Sequence, residues 1–406
     1  MRILVISQYF WPESFIINDI VSKLDGQGHD VVVATGKPNY PDGRVFDGYQ
    51  AWGMRREHYL ERIEVVRVPL WPRGPGGAKN LILNYVSFVL AGLVCFPWLL
   101  RRRSFDAILV FSPSPITQAI PAILLKWLKN AQLAVWVQDL WPESLAATGF
   151  VRNRYLLKAV GWMVKAIYRC CDKLLVQSRA FIEPVACHVN RNKIVYYPNS
   201  MSTETPVAPQ QIPQELAQVL EQHFCVVFAG NLGTAQALDT IVGAVRDLKD
   251  DHDVRFVLVG SGSRFTWLAD EKNALHLDNL VLPGRFPIEM MQQIFERASV
   301  LLVTLADQEI FSQTIPSKIQ AYLAAGRPII ASLRGEGARV VEEAGAGIAC
   351  PPEQVASLVE SVRQMRRLSP EQRAALGRSG RAYFESHFDM DRQVVRLLEI
   401  LGGAGP

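Results

Sequence analysis

The sequence predicts an α/β protein built from two successive series of strand–helix units. The first series opens with a strand at residues 2–7, a helix at 15–26 and a strand at 30–35, which is the length of a βαβ unit. A second series of apolar, strand-length runs begins at residue 226. Residues 203–213 contain three prolines and few apolar side chains, so we interpret them as the linker between two domains.

Hydrophobic periodicity identifies the individual elements. In the first helix, apolar residues recur at helical spacing: Ile16, Ile17, Ile20, Val21 and Leu24. Further strands of the first domain are predicted at residues 63–69, 105–111, 133–137, 173–177 and 193–197. Those of the second are predicted at 226–230, 255–260, 280–282, 300–305, 328–331 and 347–350. The Pro-, Gly- and aromatic-rich stretch 37–53 is expected to be an ordered loop. Residues 370–401 are expected to form two helices that separate near residues 387–390.

Composition excludes several classes of protein. The 406 residues are enough for two or three domains, and a formal net charge of +4 is too small to argue for nucleic acid as a partner. Six cysteines occur without a C-x-x-C pair, which is typical of reduced thiols in a cytosolic protein and predicts no structural zinc site. The loop at residues 8–14 lacks the Gly-rich turn of a dinucleotide-binding fold, which disfavours an NAD-dependent dehydrogenase.

In the second domain, the segment from the strand at 300–305 to Gly326 predicts a ligand site. After the strand at 300–305, residues 317–325 have the periodicity of a short helix, with Ser317 as its N-cap and Gly326 as its C-terminal glycine. Ligands of parallel sheets bind beyond the carboxyl ends of the strands.

Four polar residues lie at that point: Gln313, Thr314, Ser317 and Lys318. A helix N-terminus and the positive charge of Lys318 favour an anion, and a diphosphate would fit. The alternative is a surface turn with a solvated lysine.

Residues 314–328 resemble the donor-site segment of family 4 glycosyltransferases, in the bacterial O-antigen and capsule branch with the pattern P-S-K-x-x-x-Y-L-A-x-G-x-P. Residues 1–13, 36–43 and 139–143 look closest to the N-acetyl-L-fucosamine transferases of that branch. The resemblance runs from about residue 1 to residue 385.

This resemblance implies the GT-B fold, in which two Rossmann-like domains face a cleft and a C-terminal helix crosses back to the first domain. We therefore expect an acceptor-binding domain at residues 1–200 with a membrane-associated segment at 81–103. A nucleotide-sugar-binding domain is expected at 201–385, followed by a C-terminal helix at 386–406 that packs on the first domain.

The activity implied by the resemblance is that of a hexosyl- or hexosaminyltransferase. It would move an N-acetylated (deoxy)hexosamine such as N-acetyl-L-fucosamine from a UDP-sugar to a polyprenyl-diphosphate-linked saccharide, in O-antigen, lipopolysaccharide or capsule synthesis. We expect a protein on the cytoplasmic face of the inner membrane, and no metal cofactor, because protein groups would neutralise the diphosphate. A non-catalytic nucleotide-sugar-binding partner is the alternative, and a two-lobed solute-binding protein is disfavoured because no secretion signal is visible.

Three carboxylates are candidates for the acceptor side. Asp139 follows a buried strand, where it could accept the proton of an attacking hydroxyl or serve as a helix cap or structural hydrogen-bond acceptor. Glu143 is the weaker second candidate. Glu13 in the first loop either binds a sugar hydroxyl or caps a helix.

The donor side is predicted from turns that follow strands. Gly230, Asn231 and Gly233 form a turn whose backbone N–H groups suit phosphate. Family members commonly carry basic residues here, whereas the matching positions in this chain are the neutral Asn231 and Gln236. The positive charge is then expected from Lys318 first and Arg285 second, although Arg285 is equally a surface residue. The loops at 260–262 and 283–285 are places where a base could stack.

The family's paired glutamates, spaced Glu-x7-Glu, are the second departure. Their positions fall on Gln313 and Ala321, neither of which is an acid. Glu336 begins another loop-to-helix step and either replaces the ribose contact or complements the helix dipole.

Residues 81–100 carry no charge and are followed by three arginines, 101–103. The run reaches the ~20 residues of a membrane span. A core helix, a true span and an apolar helix lying in the inner leaflet remain alternatives, and we favour the last, because the arginines would meet anionic head groups. The basic, apolar stretch 152–169 could extend that surface.

Overall fold

The computed structural model describes residues 1–75, 77–147, 153–203 and 211–402. The chain divides into two compact units. The first comprises Met1–Ser200 together with the segment from Met390 onward, and the second comprises Met201–Asp389. The second unit therefore ends a few residues later than the 385 expected from the sequence. The linker predicted at 203–213 lies partly outside the described residues.

The first unit is organised around one twisted sheet. Its strands are β1 (Arg2–Ile6), β2 (Asp30–Thr35), β3 (Arg55–Tyr59), β4 (Ile63–Arg67), β5 (Ala107–Ser112), β6 (Gln132–Val137), β7 (Lys173–Val176) and β8 (Ile194–Tyr196). Within the described residues they are ordered β3-β4-β2-β1-β5-β6-β7-β8, and only β3 is antiparallel to its neighbour. The central strands are buried on both faces, which is why they read as continuous apolar runs.

Helices cover both faces of this sheet. They are α1 (Ile16–Gly26), α2 (Ala78–Leu99), α3 (Ala119–Lys129), α4 (Glu143–Ala147), α5 (Arg154–Cys170) and α6 (Ile182–Ala186). On one face, α2, α3 and α5 pack over a core that includes Phe88, Val110 and Val164. On the other face, α1 packs over a core that includes Val5 and Leu109.

The second unit repeats the plan with a smaller sheet. Its strands are β9 (Phe224–Ala229), β10 (Val254–Val259), β11 (Leu280–Gly284), β12 (Val300–Thr304), β13 (Ile329–Ser332) and β14 (Gly347–Cys350). Among the described residues all strand pairs are parallel, in the order β11-β10-β9-β12-β13-β14. The chain starts in the middle of the sheet and reverses direction between β9 and β12. Such a switch point leaves a crevice at the carboxyl ends of the strands.

The helices of the second unit alternate with these strands. They are α7 (Gln214–Gln222), α8 (Leu238–Asp247), α9 (Phe265–Ala274), α10 (Ile288–Arg297), α11 (Glu309–Ser312), α12 (Ser317–Ala324), α13 (Glu336–Glu343), α14 (Val355–Arg367) and α15 (Pro370–His387). The last helix, α16 (Met390–Gly402), belongs to the first unit and packs against α1. There, the hydroxyl of Tyr197 donates to the carbonyl of Gln393 at 3.0 Å, and Lys23 forms an ion pair with Asp391.

Most predicted elements are confirmed within one or two residues, and two details are wrong. Strand β3 was missed because its residues are mostly polar or partly exposed and carry no alternation. Ser317 is the first residue of α12 rather than its N-cap, which is Pro316. Gly326 does follow the helix in the left-handed region, with φ of 66°.

Helix α2 is buried on one face and exposed on the opposite face. One face is buried in the core and carries Asn84, Phe88, Gly92, Phe96 and Leu99. The opposite face is exposed and carries a large apolar residue every fourth position: Ile82, Val86, Leu90, Val94 and Trp98. By length and composition α2 would also pass as a membrane span, the only such helix in the described residues. Its buried face, however, is part of the folded core.

Candidate functional site

A cavity of about 570 Å³ opens at the carboxyl end of the second sheet. It lies where the switch point between β9 and β12 leads us to expect a ligand. Five of the residues predicted for donor binding line it: Gly230, Asn231, Arg285, Ser317 and Lys318. They come from the ends of β9 and β11 and from the first turn of α12, because parallel strands place all their carboxyl ends at one edge.

Two glycines allow the loops of this edge to approach closely. Gly230 has φ of 133° and Gly260 has φ of 144°. A Cβ on Gly260 would lie 1.9 Å from the carbonyl oxygen of Gly230, and a Cβ on Gly230 would lie 2.6 Å from Cε of Lys318. At Gly260 any side chain would therefore displace backbone, whereas at Gly230 it would displace the end of Lys318, and the φ of both residues favours glycine. The glycines therefore keep the floor of the cavity open beside the lysine.

Lys318 is the central cation of the cavity. Its Nζ donates to Oε1 of Gln236 at 2.5 Å and lies 3.7 Å from the centroid of the Phe228 ring. Burial lowers the pKa of Lys318 to about 7, and no ion pair offsets this effect in the described part of the chain. A buried ammonium at a helix N-terminus, without an ion-pair partner in the described residues, favours the approach of an anion.

Helix α10 contributes an apolar wall to the cavity. Ile288, Met291 and Phe295 recur at i, i+3 and i+7 along α10 and line the cavity. The ring of Phe295 stands at 78° to that of Tyr322 at 5.3 Å. Sequence reasoning missed these residues, although their helical spacing after Arg285 was a usable signal. Phe286, which also lines the cavity, follows the loop where a stacked base was expected.

The remaining predicted donor residues are dispersed. Gln236 touches Lys318, whereas Gly233, Gln313 and Thr314 are not among the described residues that line the cavity. Glu336, the first residue of α13, is buried, and both its carboxylate oxygens accept hydrogen bonds from the Arg339 guanidinium at 3.0 Å.

Asp139 lies two residues beyond the end of β6 in the first unit. Its Oδ2 accepts hydrogen bonds from Nε1 of Trp141 at 3.2 Å and from the hydroxyl of Ser144 at 3.1 Å. Burial raises the pKa of Asp139, although these two hydrogen bonds oppose the shift. A half-buried carboxylate of raised pKa has the character of a general base, and the hydrogen bonds hold it in one orientation.

The other two carboxylates of the first unit differ from Asp139. Glu143 is exposed at the first turn of the short helix α4. Glu13 is buried and accepts hydrogen bonds from the backbone N–H groups of Phe10, Asn39 and Tyr40 at 3.2, 2.8 and 2.7 Å. Burial raises the pKa of Glu13 to about 7. Glu13 thus joins the loops that follow β1 and β2, and it does not cap α1, whose N-cap Phe15 has no side-chain cap.

A buried polar network at the same edge of the first sheet was not foreseen. Gln8 donates through Nε2 to Oδ1 of Asn84 at 2.6 Å, and its backbone N–H donates to Oε1 of Gln118 at 2.7 Å. Nδ2 of Asn84 in turn donates to the carbonyl of Trp71. The network fixes α2 to the loops beyond the strands, which no local pattern reveals, since its members lie far apart in sequence.

Comparison with known protein families agrees with this geometry. Residues 15–200 match the model of the glycosyl transferase 4-like domain, and residues 223–367 match the model of glycosyl transferases group 1. The chain is a family 4 glycosyltransferase. Its two α/β units have the GT-B fold, and family membership favours a transferase enzyme over the non-catalytic partner considered above.

Individual relatives extend the comparison. The glycosyltransferase is 25% identical over 395 residues to the putative colanic acid biosynthesis glycosyl transferase WcaI of Escherichia coli K12, covering 90% of this chain and 92% of the relative. It is 26% identical over 275 residues to the probable glycosyltransferase WbjE of Pseudomonas aeruginosa, covering 64% of this chain and 66% of the relative. Among solved structures, Anabaena HepE in complex with UDP superposes with a TM-score of 0.68 at 13% identity, over 99% and 100% of the two chains.

Proposed function

We propose that this glycosyltransferase moves an N-acetylated (deoxy)hexosamine from a UDP-sugar to a polyprenyl-diphosphate-linked saccharide during surface polysaccharide synthesis. The observation that carries the donor half is the buried ammonium of Lys318 at the start of α12, inside a cavity with an apolar wall. The ammonium donates to Gln236 and has no ion-pair partner among the described residues. WcaI is named for colanic acid biosynthesis, which supports a role in polysaccharide synthesis. HepE was solved with UDP, which supports a UDP-sugar as the donor. N-acetyl-L-fucosamine is our candidate sugar, from the resemblance of residues 1–13, 36–43 and 139–143.

In the proposed reaction, an acceptor hydroxyl oxygen forms a bond to the anomeric carbon while the bond from that carbon to the diphosphate oxygen breaks. The electron pair leaves with UDP, whose growing negative charge is stabilised by Lys318 and the backbone N–H of Asn231. The N–H of Gly230 takes no part, because it donates to the carbonyl of Val259 at 2.9 Å. The carboxylate of Asp139 takes up the hydroxyl proton. Because protein groups provide the positive charge, we propose that no metal is required.

We propose further that the first unit binds the acceptor at the cytoplasmic face of the inner membrane. The exposed apolar face of α2 supports this, together with Trp127 of α3 and Trp162 of α5, which are 68% and 80% exposed. The three helices pack against the same face of the first sheet. Arg101, whose guanidinium lies 4.7 Å from the Trp98 ring, brings positive charge to the end of α2.

A transfer assay tests the proposal. Purified protein is incubated with UDP-sugars, with and without a synthetic polyprenyl-diphosphate saccharide in mild detergent, and released UDP is measured. We expect acceptor-dependent UDP release that persists in excess chelator. Binding of UDP without release for any donor and acceptor pair would contradict the transfer step, and loss of release in chelator would contradict metal independence.

A further inference from the structure

We propose that the donor cavity does not discriminate for the ribose 2′-hydroxyl, and therefore accepts 2′-deoxyribonucleoside diphosphates as well as ribonucleoside diphosphates. The inference rests on the proposed function, in that it assigns the cavity to a nucleoside diphosphate. It goes further by stating that the cavity does not distinguish the ribose of the nucleoside from 2′-deoxyribose. The argument depends on which side chains line the space between the phosphate end and the base end.

The position of the ribose follows from helix α12. Ser317 and Lys318 in its first turn mark the phosphate end, and Phe286 beyond β11 marks the apolar end. Ala321 and Tyr322 lie one turn further along α12, about 5 Å from Lys318 along the helix axis. In a nucleoside diphosphate the ribose directly follows the phosphates. The second turn of α12 and the facing residues of α10 are therefore its surroundings.

These surroundings offer a ribose hydroxyl little to bind. Among the described residues that line the cavity, none is Asp or Glu, and the two charged ones, Arg285 and Lys318, are both cations. The Ala321 side chain is a methyl group. The hydroxyl of Tyr322 is already used, because it accepts the backbone N–H of Ala229 at 2.9 Å. The facing residues of α10, Ile288, Met291 and Phe295, are apolar.

Selectivity for a hydroxyl requires a group that hydrogen-bonds it. Sites built around such a group reject the analogue that lacks the hydroxyl, because the protein's polar group is then left unpaired. A ribose-binding carboxylate plays this part in dinucleotide-binding folds. In this cavity the deoxy analogue leaves no carboxylate unpaired, and the extra hydroxyl of the ribose gains no charged acceptor. The neutral polar residues of the lining, Asn231, Ser261 and Ser317, lie in the loops after β9 and β10 and in the first turn of α12, at the phosphate end. We therefore expect the two kinds of nucleotide to bind similarly, or the deoxy form to bind more tightly.

Calorimetric titration with UDP and 2′-deoxy-UDP, which differ in one oxygen atom, tests the proposal on the unmodified protein. We expect the Kd of 2′-deoxy-UDP to be no more than about threefold that of UDP, since no charged acceptor is lost. A larger preference for UDP would overturn the proposal and leave the proposed function intact. Absence of binding by either nucleotide would instead refute the donor site itself.

Substitution of Ala321 tests the placement of the ribose. Ala321→Glu should create a preference for UDP over 2′-deoxy-UDP of about tenfold or more, the usual worth of a hydrogen bond to a charged group. The introduced carboxylate lies one turn from Lys318, so both nucleotides should bind more weakly, and the ratio of the two affinities is the readout. Ala321→Leu is the matched control, since it fills the wall without an acceptor and should leave the ratio unchanged. An unchanged ratio in a folded Ala321→Glu protein would refute the placement on which the proposal depends.

Discussion

Lys318 should make UDP binding depend steeply on pH above neutrality. In the ligand-free protein burial lowers the pKa of Lys318 to about 7, so about half of the molecules carry the charge at pH 7 and about one in a hundred at pH 9. A bound diphosphate favours the charged form and raises this pKa again. Binding above pH 7 therefore takes up a proton, and affinity falls as the pH rises.

The expected magnitude follows from the same linkage. If the lysine is fully charged in the complex, Kd is inversely proportional to the fraction of free protein that already carries the proton. That fraction falls from about one half at pH 7 to about one hundredth at pH 9, so Kd increases about 50-fold. The terminal phosphate of UDP contributes little over this range, since its second ionisation has a pKa near 6 and is largely complete at pH 7. Ionisation of the phosphate would in any case strengthen UDP binding as the pH rises, which is opposite to the effect expected from Lys318.

Isothermal titration of UDP at pH 7, 8 and 9, in two buffers of different ionisation enthalpy, measures both the affinity and the proton uptake. We expect proton uptake to approach one per UDP at pH 8–9. Lys318→Met keeps the length of the side chain without the ammonium and should bind UDP weakly with no such pH dependence. A flat wild-type profile, or the same slope in Lys318→Met, would refute the assignment of Lys318 to the diphosphate.

Three further predictions concern other parts of the molecule. Asp139→Asn should leave UDP affinity near wild type, because the donor cavity is unchanged, and should reduce turnover by the ~10²–10⁴ expected for a general base; unchanged turnover would remove Asp139 from the mechanism. Val94→Glu should abolish cosedimentation with anionic lipid vesicles, whereas the same substitution at Val395, an exposed position of α16, should not; equal binding by both would refute the membrane surface. Tyr322→Phe should lower the free energy of unfolding by about 1–3 kcal/mol, because it leaves a buried backbone N–H at the end of β9 unpaired, and thermal melting should show no comparable loss in the exposed Tyr155→Phe control.

The sequence alone determined the architecture because parallel strands buried on both faces are written as continuous apolar runs. The run at Asp30–Thr35, which is buried beyond its first residue, appears in the structure with the predicted bounds. Strand β3 was not predicted, because its extended conformation depends on pairing with β4 and not on a pattern in its own residues. The carboxylate of Glu57 in β3 forms an ion pair with the fully buried Arg67, and no local sequence pattern predicts this interaction.

The candidate site was predictable only in part, for a related reason. Lys318 was identified from the sequence because it combines a charge with a helix start at a strand's carboxyl end. The pKa of its ammonium, the glycine contact beneath it and the apolar wall of α10 all depend on which distant segments the sheet brings to one edge. Glu13 shows the same division, since its acid side chain is visible in the sequence, but the three backbone N–H groups that occupy it come from two loops. Local composition specifies which elements form, whereas burial and hydrogen-bond partners are properties of long-range contacts, so only the tertiary structure decides them.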